Sequence, residues 1–199
     1  MGEGGGNGTY HLQGGVLITP SIIRGSTGTA AFNGAGGRLH VDTFGSAATA
    51  FNLLQQGGVL APGRSIGSTT IYGNYTQTTD GVLEIEIASP TSYDTVTVYG
   101  SAELHGQILV SLLGGYVPSV GQRFPILSTT GSLDISGLTV GNLQPAPIGW
   151  VLELAAGQGG GQVLLLQAVP EPASWSLALL GLVGLGIVLA VRRRQQNGA

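Results

Sequence analysis

A glycine pair followed by two larger residues recurs along the chain at nearly constant spacing. Gly-Gly-Val-Leu occurs at 14–17 and 57–60, Gly-Gly-Arg-Leu occurs at 36–39, and Asp-Gly-Val-Leu at 80–83 is a weaker copy. With two fainter copies added, the leucines step by 22, 21, 23, 21 and 23 residues along Leu17, Leu39, Leu60, Leu83, Leu104 and Leu127. Glycine suits chain reversals. A step of about 22 residues fits one turn of a solenoid built from short strands.

Alternating residues between the glycines indicate what forms each turn. Residues 83–87 alternate apolar side chains with Glu84 and Glu86, and Thr95–Val98 alternates in the same way. This alternation predicts strands with one buried face, and it places both glutamates on the solvent face. Two further apolar strands, bounded by glycine, are predicted at 107–113 and 162–166. We therefore expect an all-β body over residues 1–168, a right-handed parallel β-helix, with an antiparallel sandwich or β-roll as the alternative.

The composition excludes several kinds of chemistry. The chain has 36 glycines and no cysteine or lysine among its 199 residues. Disulfides, thiolate metal sites and cysteine nucleophiles are therefore excluded, and so are P-loop and Schiff-base lysines. The residues before Arg192 carry four arginines against ten carboxylates, a formal charge of -6. Such an acidic body offers no phosphate-binding surface, so we do not expect a nucleic acid as partner.

The end of the chain has the composition of a membrane anchor. Residues 173–191 contain no charged side chain. As a helix they would span roughly 28 Å, close to the hydrocarbon thickness of about 30 Å. Trp175 lies near one end, and the other end is followed by Arg192, Arg193 and Arg194. Positive charge stays on the cytoplasmic side, which predicts a body outside the cytoplasm. A buried core helix is the alternative.

The same residues resemble a known sorting signal. Pro170, Glu171 and Pro172, followed by the apolar run and the arginine cluster, resemble the PEP-CTERM signal of Gram-negative bacteria. The resemblance implies that residues 169–199 form a sorting domain read by an exosortase, a membrane-embedded cysteine transpeptidase-like enzyme. It also implies that the three motif residues are the recognition element and that Arg192, Arg193 and Arg194 stop transfer. The alternative for the motif is a stiff extended spacer before a plain anchor.

A second resemblance concerns the body. Segments 57–67, 72–77 and 93–106 are similar to the end of autotransporter passenger domains, which implies an adhesin-like β-helix. An autotransporter barrel needs at least eight strands, whereas thirty-one residues follow Ala168. We therefore exclude self-translocation and expect a passenger-like body joined to a different anchor. The chain begins without a signal peptide, so we expect a truncated or misassigned start.

One segment matches a catalytic motif. Gly-Arg-Ser-Ile-Gly at 63–67 fits the nucleophile elbow, and Asp94 and His105 follow Ser65 in hydrolase order. The elbow requires a helix directly after it. Residues 69–75 are instead β-branched, aromatic and interrupted by glycine. We therefore expect Ser65 to be inert.

The histidines and the closely spaced glutamates are candidates for metal binding or acid–base catalysis. The three histidines, His11, His40 and His105, have no second ligand at metal-binding spacing, so we expect no metal and no cofactor. Glu84 and Glu86 could mimic the paired carboxylates of a glycoside hydrolase. Their alternation favours a solubilising role instead.

Two classes of function remain. The first, which we expect, is an exported structural or adhesin-like protein, not an enzyme. It would be held at the inner membrane during export and finally placed at the cell surface or outside the cell. Its expected partners are an exosortase and membrane lipid, with extracellular polysaccharide as a further candidate. The second class is a surface-anchored β-helical enzyme acting on polysaccharide, which a cluster of Asp and Glu on one outer face would favour.

Overall fold

A computed structural model of the chain describes residues 7–171, and the membrane helix predicted at 173–191 lies outside this range. The described residues form strands and turns with a short 3-10 helix at Gln158–Gly160. The strands are β1 (Gly8–Leu12), β2 (Val16–Ile22), β3 (Ala30–Gly34), β4 (Arg38–Phe44), β5 (Leu53–Gln55), β6 (Gly58–Leu60), β7 (Ser68–Ile71), β8 (Tyr75–Gln77), β9 (Gly81–Ser89), β10 (Ser92–Tyr93), β11 (Thr95–Val98), β12 (Ala102–Leu104), β13 (Gly106–Leu112), β14 (Arg123–Thr129), β15 (Leu133–Asp134), β16 (Leu138–Asn142), β17 (Ile148–Ala156) and β18 (Gln162–Pro170).

The strands stack in parallel as a β-solenoid, which confirms the predicted class of body. One sheet has six strands in the order β1-β3-β5-β8-β12-β15. The second sheet divides at β4, whose first residues pair with β6 and whose last residues pair with β7. One branch continues as β6-β9-β13-β16, and the other continues as β7-β11-β14-β18-β17. The coil thus has three walls, and its right-handed sense stays a prediction.

The glycine-pair repeat sets the register of the first turns. Leu17 pairs with Leu39, Leu39 pairs with Leu60, and Leu60 pairs with Leu83, all in parallel strands. The alignment of these copies is therefore confirmed. Leu39, Leu60 and Leu83 are at most 4% exposed, so the repeated position faces the core.

The prediction that Leu104 and Leu127 continue the leucine repeat was wrong. Leu83 pairs with Ile108 and not with Leu104, which lies in the six-stranded sheet beside Gln77. Leu127 lies on the other branch, where it pairs with Val96. The physical reason is the antiparallel hairpin of β9 and β10, which lengthens this turn of the solenoid. An insertion of that kind shifts every later position away from a constant step.

The C-terminal end of the body departs from parallel stacking. β18 lies between β14 and β17 and is antiparallel to both. The described residues have antiparallel pairs only here and between β9 and β10. The sandwich or β-roll alternative is therefore wrong for the stacked turns, while the last strands form an antiparallel end.

The core runs along the axis of the coil. Phe44 is fully buried, its ring lies 5.4 Å from that of Phe32 in an edge contact, and it stacks on Phe51 at 4.7 Å. Polar groups also enter the interior. The hydroxyl of buried Tyr75 lies 2.6 Å from Oε1 of Gln55 and 2.9 Å from Oε1 of Gln77. Because buried polar groups require partners, these three side chains support each other.

Candidate functional sites

The first candidate site is the point where the chain leaves the folded body. β18 ends at Pro170, which is paired with Ile148 of β17. Two residues earlier, the N–H of Ala168 donates to the carbonyl of Gln122 at 2.9 Å, and its carbonyl accepts the N–H of Gly121 at 2.8 Å. Ala168 is fully buried. The strand is thus fixed on both sides up to Ala168, and on the β17 side up to Pro170, the first residue of the predicted sorting motif.

The described part of the motif lies at the body surface. Pro170 and Glu171 are half-buried. Pro172, Arg192, Arg193 and Arg194 lie outside the described residues. The predicted boundary after Ala168 falls two residues before the end of β18, so body and motif are joined without a linker.

The segment that matches a nucleophile elbow forms a loop between two strands. Residues 63–67 lie in the loop between β6 and β7, and Ser65 is exposed. The next element is the strand β7, which confirms that no helix follows. The other two residues of the possible triad bind different groups. Asp94 accepts hydrogen bonds from the N–H of Gly67 at 2.7 Å and of Glu86 at 2.9 Å, whereas His105 contacts Glu103 and the Ser136 carbonyl.

A second candidate site is a cluster of charged side chains on the outer face of the β4-β6-β9 wall. The guanidinium of Arg38 and the carboxylate of Glu84 form an ion pair at 2.7 Å across the short strand β6. Glu84 is 7% exposed, so the prediction that it is exposed to solvent was wrong. It does point away from the core, but Arg38 covers it. A hydrogen bond from Arg38 to Glu84 is the main cause of the raised pKa of Arg38.

The remaining members of the cluster surround this pair. Glu86 is half-buried; burial and the charge of Glu84 raise its pKa, while His40 and Arg38 oppose the rise. Nδ1 of His40 lies 2.7 Å from the carbonyl oxygen of Gly63. Burial, with the charges of Glu86 and Glu84, raises the pKa of the Asp94 carboxyl to about 7 against its two backbone hydrogen bonds. The cluster therefore ties the 63–67 loop to β4 and β9.

Two of the histidines lie beside carboxylates, which their spacing in the sequence did not predict. His40 lies close enough to Glu86 for its charge to lower the pKa of that carboxyl. Nε2 of His105 lies 3.0 Å from a carboxylate oxygen of Glu103, and this hydrogen bond is the main reason that the pKa of His105 is raised. Residues 7–171 contain no group of three or more His, Asp or Glu side chains placed to hold a metal ion. Within the same range no helix is long and apolar enough to cross a membrane.

Sequence reasoning missed the role of Arg38, although a signal was present. In the aligned copies of the repeat, the position of Arg38 is occupied by Val16, Val59 and Val82. A single arginine at an otherwise apolar position predicts a nearby carboxylate. Glu84 follows two residues after the paired valine of β9.

Comparison with known proteins bears on the end of the chain. The family model described as the PEP-CTERM protein-sorting motif matches residues 168–194. A search of curated proteins found no matching relative. The matched segment begins at Ala168, inside β18, and includes the three motif residues and the arginine cluster. The chain therefore carries a PEP-CTERM sorting motif at the end of a β-solenoid body, and this motif implies an exported protein that an exosortase sorts to the cell surface.

Proposed function

We propose that this chain is a structural or adhesin-like protein of the cell surface or extracellular matrix. Its recognition element for the exosortase would be Pro170, Glu171 and Pro172. The observation that carries the proposal is the sorting-motif match at residues 168–194, which begins in the last strand of the body. A folded strand that ends at Pro170 leaves the motif next to the body surface, where a membrane enzyme can reach it.

Two further features of the tail complete the proposed route. An apolar segment at 173–191 would hold the chain in the inner membrane during export, with the body outside the cytoplasm. Arg192, Arg193 and Arg194 would stop transfer on the cytoplasmic side. Removal of the tail by the exosortase would then leave the β-solenoid at the cell surface or in the extracellular matrix, with polysaccharide as a candidate partner.

The alternative of a polysaccharide-acting enzyme gains one specific observation, the cluster of Glu84, Glu86 and Asp94. Acid–base catalysis needs carboxyl groups that can reach a substrate. Glu84 is paired with Arg38, and both oxygens of Asp94, which is 1% exposed, accept backbone N–H groups. These contacts favour a structural role for the cluster. We therefore propose that the body is not an enzyme and that Ser65 is inert.

The test of sorting replaces Pro170, Glu171 and Pro172 with Gly-Ser-Gly. The full chain is given a functional signal peptide and an epitope in the exposed turn at residues 90–91, and it is expressed in an exosortase-bearing host. We expect wild type to lose its tail and the variant to stay full length in the membrane, because insertion depends on the apolar run and processing on the motif. Immunoblotting of membrane and extracellular fractions measures both.

A matched control places the same Gly-Ser-Gly at residues 195–197, beyond the matched segment. This variant should be processed like wild type. Replacing Arg192, Arg193 and Arg194 with serine should instead give mixed topology. If wild type and the motif variant both stay full length in the membrane, the sorting proposal is wrong. The tail would then act only as a membrane anchor.

A further inference from the structure

The place where the chain leaves the body fixes how close the body lies to the membrane. β18 is held in its sheet up to Pro170, and the predicted membrane segment begins at residue 173. Three extended residues span about 10 Å at most. Any part of the body that projects beside Pro170 must therefore lie at the membrane surface while the chain is anchored.

One loop projects at that place. Residues 113–122 connect β13 to β14, and the loop is bonded to β18 through Gly121 and Gln122, which exchange backbone hydrogen bonds with Ala168. The loop is also held internally. The Tyr116 hydroxyl donates to Oε1 of Gln122 at 2.7 Å, and the N–H of Ser119 donates to the same oxygen at 3.2 Å. Its shape is thus set before any partner binds.

Several exposed side chains near this exit are apolar. Val117 is 51% exposed and Val120 is 62% exposed. Leu143 is 43% exposed and follows Asn142, whose side-chain amide donates to the carbonyl of Ile148, the partner of Pro170. Residues 106–122 carry no Asp, Glu or Arg, and Arg123, which follows them, is paired with Glu153 at 2.9 Å. We refer to Val117, Val120 and Leu143 as the exit rim.

We propose that the exit rim is a membrane contact that seats the body on the lipid surface while the tail is still attached. The proposal rests on the sorting function, because the tail must be in the membrane for the rim to reach it. An uncharged, internally held loop with exposed valines can insert between headgroups at little desolvation cost. The contact would hold Pro170 to Pro172 at the outer interface, where the processing enzyme acts.

The experiment uses the absence of cysteine from the sequence, which allows one environment-sensitive fluorophore per molecule. A single cysteine replaces Val120, Val16 or Leu182 in the full chain, which is reconstituted in phosphatidylcholine–phosphatidylglycerol vesicles. The vesicles contain two quencher lipids, one labelled near the headgroup and one labelled near the middle of the acyl chain. Val16 is the matched control because it is also a valine, is also 62% exposed and lies on β2. Four strand spacings separate it from β13, about 19 Å.

We expect a large loss of emission at positions 120 and 182 and little loss at position 16. Quenching at 182 with none at 120 would overturn the exit-rim contact and leave the anchor standing. Equal quenching at 16 and 120 would also overturn it, because adsorption would then be unspecific. An unquenched label at 182 would contradict the membrane segment and, with it, the contact.

Discussion

At the scale of single residues, Asp94 links two parts of the coil through one carboxylate. Its oxygens accept the N–H of Gly67, ahead of β7, and of Glu86, within β9. Burial raises its pKa from an ordinary value near 3.8 to about 7. Between these values the folded chain binds more protons than the unfolded chain. The contribution of Asp94 to stability is therefore complete below about pH 4 and is lost as the pH rises through about 7.

Replacing Asp94 with asparagine should weaken this pH dependence. Wild type should lose stability between about pH 4 and pH 7, and Asp94→Asn should show a smaller slope. Part of the slope should be left because the pKa of Glu86 is also raised. The variant should be less stable at low pH by about 1–3 kcal/mol, since an amide nitrogen would face one of the two N–H groups.

Denaturant unfolding of the full chain in detergent, repeated across this pH range, measures the slope. Asp80→Asn is the control, because Asp80 lies in an exposed turn. It should leave the wild-type slope unchanged. An Asp94→Asn slope equal to that of wild type would show that the titration of Asp94 does not contribute.

Alternation in the sequence predicted which way side chains point better than it predicted their exposure. Glu84 points outward, as its place in the strand indicates, and yet it is buried under Arg38. These residues are 46 positions apart in the chain. Because such a contact exists only after two turns have stacked across β6, the periodicity of one strand carries no information about it.

At the scale of elements, the second glycine of the repeated pair can be compared in two structural environments. Gly15 and Gly58 occupy the same place in the repeat and have φ values of +73° and +70°. A Cβ at Gly58 would lie 2.5 Å from the carbonyl oxygen of Gly37 in the preceding turn. A Cβ at Gly15 would meet no atom within 4 Å. The pair separates the cost of backbone conformation from the cost of stacking.

Alanine should be tolerated less well at position 58 than at position 15. Either substitution forces alanine into the left-handed region, at a cost of about 1–2 kcal/mol. Gly58→Ala must also push two turns apart, which should add about 1–3 kcal/mol. The midpoints of denaturant unfolding for the two variants measure the difference. Equal losses of stability would contradict the close stacking of these reversals.

The elements divide into those that the sequence predicts and those that it does not. The glycine pairs align β2, β4 and β6 because each of these strands begins at or directly after a glycine of positive φ. β9 keeps the same register, although Asp80 and Gly81 replace the glycine pair. The alignment fails after β9, where the added strand β10 lengthens one turn. The antiparallel pairing of β17 with β18 has no counterpart in the repeat, so the repeat could not predict how the coil ends.

At the scale of the whole molecule, the two ends of the coil differ. Within the described residues, β1 and β2 each have a neighbouring strand on one side, whereas β18 has β14 and β17 on its two sides. β18 also contributes Leu164, Leu166 and Ala168, which are fully buried. In a solenoid each turn is stabilised mainly by its neighbours. The first turn should therefore open more easily than the strand that leads to the sorting motif.

Amide hydrogen exchange of the 199-residue chain in detergent should show this order. We expect fast exchange in β1 and β2 and slow exchange in β18, because local opening of β18 must break two ladders of hydrogen bonds. β17 is the internal control; it pairs with β18 alone among the described strands and should exchange faster than β18. With β18 closed, an exosortase would have to read Pro170 to Pro172 without unfolding the body. Exchange in β18 as fast as in β2 would mean the opposite, that the terminal hairpin opens to present the motif.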